Sequence, residues 1–178
     1  LKDYMSITIS SIHYCPVKSV SFQSIESCEV KKDTGIIGDR IFAFSKGLNF
    51  EQSKIFEKDP TERRGKWNKL LTLKNTPVMN KYNFLIKDNS LILTHKNEEI
   101  LSINSDELNE YELVSNKILE LENSLKDPIL LMQNKKFPFF DTSISNKTVL
   151  NHSISLINLK SIEDFQSKIN QKIETQRF

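Results

Sequence analysis

Tyr14-Cys15-Pro16-Val17-Lys18-Ser19, then Gly35-Ile36-Ile37-Gly38-Asp39-Arg40 running into Ile41-Phe42-Ala43-Phe44, is the stretch whose reading decides the fold. The first piece leaves a strand pattern carried by Ile7, Ile9 and Ile12 and turns at Pro16. The second has two glycines where a tight connection requires positive φ, and then enters a run of β-formers. Between them Cys28 and Val30 alternate as a further strand and read as core. Outward from this stretch, residues 70–73, 82–86 and 91–94 continue the series, with Asp88-Asn89 as a hairpin turn between the last two. Short strands at this spacing predict a small barrel or sandwich, not a βαβ unit.

Residues 47–69 break the pattern. Phe50, Phe56 and Trp67 stand there among charges, which predicts a surface loop pinned by its aromatics or a lid over a pocket. A helix is expected over residues 105–125, because Asn104 with Glu107 forms a capping-box pattern. Leu108, Tyr111, Val114, Ile118, Leu121 and Leu125 give it one apolar stripe, and Pro128 marks its end. Residues 129–132 then read as a buried strand, 134–151 as a loop and 153–157 as another strand. Ser161 is expected to cap a second helix with Ile162, Phe165, Ile169 and Ile173 on one face. The fold class is therefore α+β, mainly β with α, with a boundary near residue 100 where an all-β pattern becomes mixed.

Composition narrows the function classes. The chain has 178 residues, 38% hydrophobic and 27% charged, the balance of an ordinary globular protein. It contains neither an apolar run long enough for a transmembrane helix nor a recognisable secretory signal, so a cytoplasmic location is expected. A formal charge of +2 with dispersed Lys and Arg argues against a nucleic-acid partner. Cys15 and Cys28 make no disulfide framework, and His13, His95 and His152 lack metal-ligand spacing.

Three segments can carry chemistry. Lys18 and Ser19 bring an ammonium and a hydroxyl to a strand end, which suits an oxyanion; a solvated lysine on an edge strand explains the same residues. Arg40 presents a rigid fork of donors for phosphate or carboxylate, or is an ordinary hairpin arginine. Phe140-Asp141-Thr142-Ser143 offers hydroxyls and backbone N–H groups to a polar ligand, or forms an Asx or Ser/Thr turn. A Cys15–His13 pair would share one strand face, but burial of Cys15 as a small hydrophobe competes with it.

Taken together these motifs resemble the MOSC family, named for the C-terminal domain of molybdenum cofactor sulfurases, and within it the members with an N-terminal β-barrel subdomain. Tyr14-Cys15-Pro16-Val17-Lys18-Ser19 resembles the family's Tyr-Pro-Val-Lys-Ser, with Cys15 inserted, and residues 35–40 resemble its Gly-Leu-x-Gly-Asp-Arg. Residues 71–77 and 155–162 resemble the end of the barrel loop and a strand-to-helix junction of the core. The resemblance implies a barrel subdomain over 1–100 leading into the first part of a MOSC core over 101–178. It implies a Mo-molybdopterin cofactor held by Lys18, Ser19 and Arg40, with Thr142 and Ser143 as further contacts. The implied activity is that of an oxidoreductase acting on a small-molecule substrate, such as an N-hydroxylated compound, with an electron-transfer partner protein. The alternative is a non-catalytic carrier of sulfur or cofactor. The cysteine that ligates molybdenum in such proteins is expected beyond Phe178, because both ends of the chain look cut and the relevant motif is represented only by Arg177-Phe178.

Overall fold

The computed structural model describes residues 7–32, 35–140, 154 and 156–173. The strands are β1 (Ile12–Tyr14), β2 (Gln23–Ile25), β3 (Val30–Lys31), β4 (Gly35–Ile36), β5 (Phe42–Lys46), β6 (Tyr82–Lys87), β7 (Ser90–His95), β8 (Glu98–Asn104) and β9 (Ile129–Gln133). Helix α1 spans Phe50–Lys58, α2 Tyr111–Leu121 and α3 Leu159–Ile169. The architecture is α+β. Helix and strand take comparable shares of the described residues, 30% and 27%, so the expected β bias is absent.

The strands form four small antiparallel sheets, β1–β2, β3–β4, β5–β9 and β6–β7–β8, and no closed barrel is found among the described residues. β5 is the centre. Phe42, Ala43, Phe44 and Ser45 are completely buried, and their alternation sends side chains to two different clusters. Phe42 and Phe44 join Leu131, Phe84, Leu91, Leu93, Tyr111 and Ile118 in the larger core, while Ala43 packs with Phe56, Leu70, Met132 and Phe139 in the smaller one. Each fully buried Phe or Leu contributes about 1.5–3 kcal/mol through removal of apolar surface from water. The larger core draws on residues from both sides of residue 100, and the boundary expected there falls inside β8.

Several expectations are corrected. Residues 50–58 are a helix and no loop, because Asn49 and Gln52 make a reciprocal capping box: Gln52 N–H donates to Asn49 Oδ1 at 2.9 Å, and Asn49 N–H to Gln52 Oε1 at 3.1 Å. Its buried face is Ser53, Phe56 and Glu57, which leaves no apolar periodicity to read. Strand β8 follows β7 through Lys96-Asn97, both at positive φ, the conformation a two-residue hairpin requires. Val30 is exposed and Cys28 only half-buried, so that pair is not core. Of residues 70–73 only Leu70 forms a bridge; the Asn75 side chain accepts from Thr72 N–H and turns the chain away.

Helix α2 begins at Tyr111, not 105. Glu110, rather than Glu107, bonds the Asn104 N–H, at 2.7 Å. The Glu122 N–H caps its C-terminus by donating to Ile118 C=O. Asn158, not Ser161, caps α3, and none of the α3 residues is buried. Ile154, Leu156 and Ile157, the described members of the strand expected over 153–157, lie in no strand. No helix of the described residues is long and apolar enough to cross a membrane.

A charged latch ties α2 to the β6 sheet. Glu122 Oε1 accepts from Lys81 Nζ at 2.9 Å and from Tyr82 Oη at 2.8 Å, with its side chain nearly buried. Burial works to raise the Glu122 pKa, but the bonds from Lys81 and Tyr82 outweigh it and hold the group below its ordinary 4.5. A depressed carboxyl stabilises the fold above its unfolded-state value, and that stabilisation is lost as pH falls through the folded-state value. Glu122→Gln is therefore expected to lower the unfolding free energy at neutral pH. In urea titrations the gap to the parent protein closes as pH falls through the folded-state value of Glu122; a gap independent of pH would contradict the latch.

Candidate functional site

The two motifs quoted at the outset lie side by side, and backbone hydrogen bonds put them there. Arg40 N–H donates to Cys15 C=O at 2.6 Å, Phe42 N–H to Pro16 C=O at 3.0 Å, and Lys18 N–H to Phe42 C=O at 2.8 Å. Val17 thereby forms a parallel bridge with Phe42. Proline at 16 costs nothing here, since its carbonyl accepts and no N–H is required. Both backbone groups of Val17 are also met by the Ser21 hydroxyl, at 2.7 and 2.8 Å.

Tyr14 explains why the second motif needs its second glycine. Gly38 has φ +87°, where a side chain is strained, and a Cβ there would come within 3.3 Å of Tyr14 Cε2, so the ring would have to shift by a few tenths of an ångström. The Tyr14 hydroxyl donates to Gln23 Oε1 at 3.2 Å, and the same Gln23 amide pairs with both backbone groups of Ile86. Asn83 similarly accepts from Phe22 N–H. Two side-chain amides thus stand in for the ladder that would otherwise join the β1–β2 hairpin to β6.

Among the expected site residues, Lys18 is buried, and Ser19 and Arg40 are half-buried. The structure adds Asp39, which the reading of the residues passed over. Asp39 Oδ1 accepts from Cys15 N–H at 2.8 Å, and Oδ2 pairs with Arg40 Nη1 at 2.6 Å. Lys18 acts electrostatically on both Asp39 and Cys15. Although no carboxylate is close to Lys18 in sequence, one is close in space. Arg40 therefore pairs directly with Asp39 while Lys18 adds a weaker electrostatic effect, and a lysine and an arginine are side chains of the kind that hold an oxyanion.

The electrostatics separate the groups. Burial pushes the Asp39 carboxyl up, against the opposing effects of Arg40, the Cys15 N–H and Lys18. Burial likewise raises the Cys15 thiol, outweighing Arg40 and Lys18, so this cysteine is held neutral and is no activated thiolate. The Cys15–His13 pair does not supply a base: the His13 ring nitrogens lie 2.9 Å from Ser11 Oγ and 3.0 Å from Ser24 Oγ, and the ring stacks on Phe22. Among the described residues no group of three or more His, Cys, Asp or Glu side chains could hold a metal ion. Thr142 and Ser143 lie outside the described residues.

Two site residues carry backbone strain. Ser19 (φ 66°) and Arg40 (φ 51°) occupy the left-handed region, where a side chain costs about 1–2 kcal/mol. The other non-glycine residues with positive φ, Asp88, Lys96, Asn97 and Asn170, belong to hairpin turns and a helix C-cap. Ser19 and Arg40 also lie in turns, Ser19 within the one that Val20 N–H closes on Val17 C=O and Arg40 directly after the one that Asp39 N–H closes on Ile36 C=O.

The Arg40 side chain is backed by the segment after β9. Its guanidinium carbon lies 5.1 Å from the centroid of the Phe140 ring, and Arg40 C=O accepts from Phe139 N–H at 2.8 Å. That segment is held by Arg63, which sequence patterning placed in a surface loop. Arg63 is buried, donating to the carbonyls of Phe56 (2.7 Å), Glu57 (2.9 Å) and Phe137 (2.7 Å), with its guanidinium carbon 3.9 Å from the Phe139 centroid. Burial lowers its pKa to about 10, still charged at neutral pH. One signal could have found it: an arginine two residues after a Pro-Thr helix start is placed to reach back over the C-terminus of the preceding helix.

Arg63→Ala is expected to destabilise the protein by about 3 kcal/mol or more, since several buried carbonyls lose their donor, and Arg63→Lys restores only part of this. Ser19→Gly is expected to stabilise it by up to about 1 kcal/mol by relieving the left-handed backbone. Chemical denaturation at constant slope measures both.

Comparison of the chain with family models, curated proteins and solved structures finds no match in any of the three.

Proposed function

We propose that this chain is the cofactor-anchoring part of a MOSC-type protein that binds Mo-molybdopterin, with Lys18, Ser19 and Arg40 gripping the cofactor's phosphate and pterin. One observation carries the reading: the resembling motifs are adjacent in space, joined by Arg40 N–H to Cys15 C=O and by Asp39, which accepts from Cys15 N–H and pairs with Arg40. The donor set fits a phosphate, which Arg binds through its planar fork and Lys as a point charge. On this reading the small sheets are parts of a β-barrel-type MOSC fold, Thr142 and Ser143 are further contacts, and the protein is an oxidoreductase. When bound, the cofactor supplies oxygen-atom and electron transfer at its metal. This chain's residues bind the phosphate end and orient it; the Cys15 thiol, held neutral by burial, takes no part as a ligand.

Purification from cells that synthesise the cofactor tests the reading. The protein is expected to carry molybdenum, measured by mass spectrometry, and a pterin that fluoresces after oxidative release. Both should drop severalfold or more in Lys18→Ala/Arg40→Ala. A protein that emerges without pterin, or a double variant with unchanged content, would overturn the assignment.

A further inference from the structure

Arg40 is fixed from two sides. Its N–H donates to Cys15 C=O at 2.6 Å and its C=O accepts from Phe139 N–H at 2.8 Å. The first motif therefore holds one side of the residue and the segment 137–140 the other. A left-handed residue such as Arg40, with φ 51°, persists where its surroundings over-determine it. The same segment also reaches the side chain, since the Phe140 ring centroid lies 5.1 Å from the guanidinium carbon.

What orders that segment lies on α1. The last carbonyls of a helix lack intrahelical donors, and Arg63 supplies them to Phe56 and Glu57 through Nε and Nη2. Its Nη1 donates to Phe137 C=O at 2.7 Å and to Pro138 C=O at 3.4 Å, and its guanidinium carbon sits 3.9 Å from the Phe139 ring centroid. Asn134 makes a second tie: its Nδ2 donates to Glu57 C=O at 2.6 Å, and its Oδ1 accepts from Phe137 N–H at 2.7 Å. The end of α1 and the segment behind Arg40 thus form one bonded unit around Arg63. A lysine ammonium has neither the fork nor the flat face that this arrangement uses.

We propose that Arg63 is a positioning residue for the candidate site: through Phe139 and Phe140 it sets the orientation of Arg40, separately from its contribution to overall stability. Its effect on site occupancy rests on reading Arg40 as a cofactor contact; its effect on Arg40 does not.

The Nε–Hε NMR signal of Arg40, assigned by its loss in Arg40→Lys, reads the orientation without any ligand. Phe140→Leu is expected to shift this signal by removing the ring current. Arg63→Lys should shift it in the same direction, and the double variant no further than Phe140→Leu alone. Glu122→Gln, which weakens the fold at a latch remote from this segment, should leave the signal in place. If Arg63→Lys does not fold, Phe139→Leu takes its place with the same expectation, because it keeps a buried apolar side chain and loses the ring beside Arg63. In cells that synthesise the cofactor, pterin content should fall severalfold in Arg63→Lys and hold in Glu122→Gln.

An Arg40 signal unmoved in the folded Arg63 or Phe139 variant would overturn the proposal. So would shifts that add in the double variant, an equal shift in Glu122→Gln, or unchanged pterin in Arg63→Lys beside a pterin-loaded wild type. Wild-type protein whose Arg40 signal behaves as expected but which carries no pterin would sink the cofactor reading and leave the role of Arg63 standing.

Discussion

Strand β5 is buried on both faces, so its backbone has no access to water and its N–H and C=O groups need protein partners. One edge is paired with β9 over the register Phe42↔Gln133 to Lys46↔Ile129. The other edge is shared by two segments far apart in the chain. Residues 16–18 serve Phe42, and residues 70–71 serve Phe44 and Ser45. Ile41 C=O accepts from Asn134, and Arg40 C=O from Phe139. Because one five-residue strand must be satisfied from so many places, its burial fixes the relative positions of nearly everything around it. The two clusters on its opposite faces follow from the alternation of Phe42 and Phe44 with Ala43.

The candidate site is a by-product of that constraint. To reach the edge of β5, the chain at residues 14–18 must run beside residues 38–42, and this contact brings the Cys15 N–H and Arg40 to the same carboxylate. The positive φ at Ser19 and Arg40 marks where the chain departs from extended geometry on either side of the contact. Arg63 acts at longer range. By holding the carbonyls of α1 and of residue 137 together, it fixes the segment whose Phe140 ring supports Arg40. An arginine buried among carbonyls is stabilised by several charge-assisted bonds, which offset the cost of its desolvation.

Polar groups elsewhere perform work usually left to ladders and apolar stripes. Ser45 and Ser53 share a buried hydrogen bond at 2.8 Å between β5 and α1, and Ser115 Oγ accepts the Leu131 N–H between α2 and β9. The Glu57 carboxylate accepts from Gln133 N–H at the end of β9. These contacts explain why α1 was not legible in the sequence. Its buried residues are a serine, a phenylalanine and a glutamate, while Phe50 and Ile55 face solvent. Conversely α3 has a clean apolar stripe in sequence, yet Phe165 and Ile169 remain exposed.

By itself the sequence determined the elements whose residues act locally: the hairpin of β6 and β7, the turn at Asp88, the glycine connection before β5, the buried runs of β5 and β9, and the inward stripe of Tyr111, Val114 and Ile118. In each case periodicity or turn chemistry within a few residues decides the outcome. It also singled out Lys18 and Arg40 as cations able to meet an anion. Only the tertiary structure decided that Asp39 joins Cys15 N–H to Arg40, that burial holds the Cys15 thiol neutral, and that Arg63 is buried. Those facts depend on desolvation and on partners remote along the chain, and of them only the burial of Arg63 has a local clue, its place after the Pro60-Thr61 helix start.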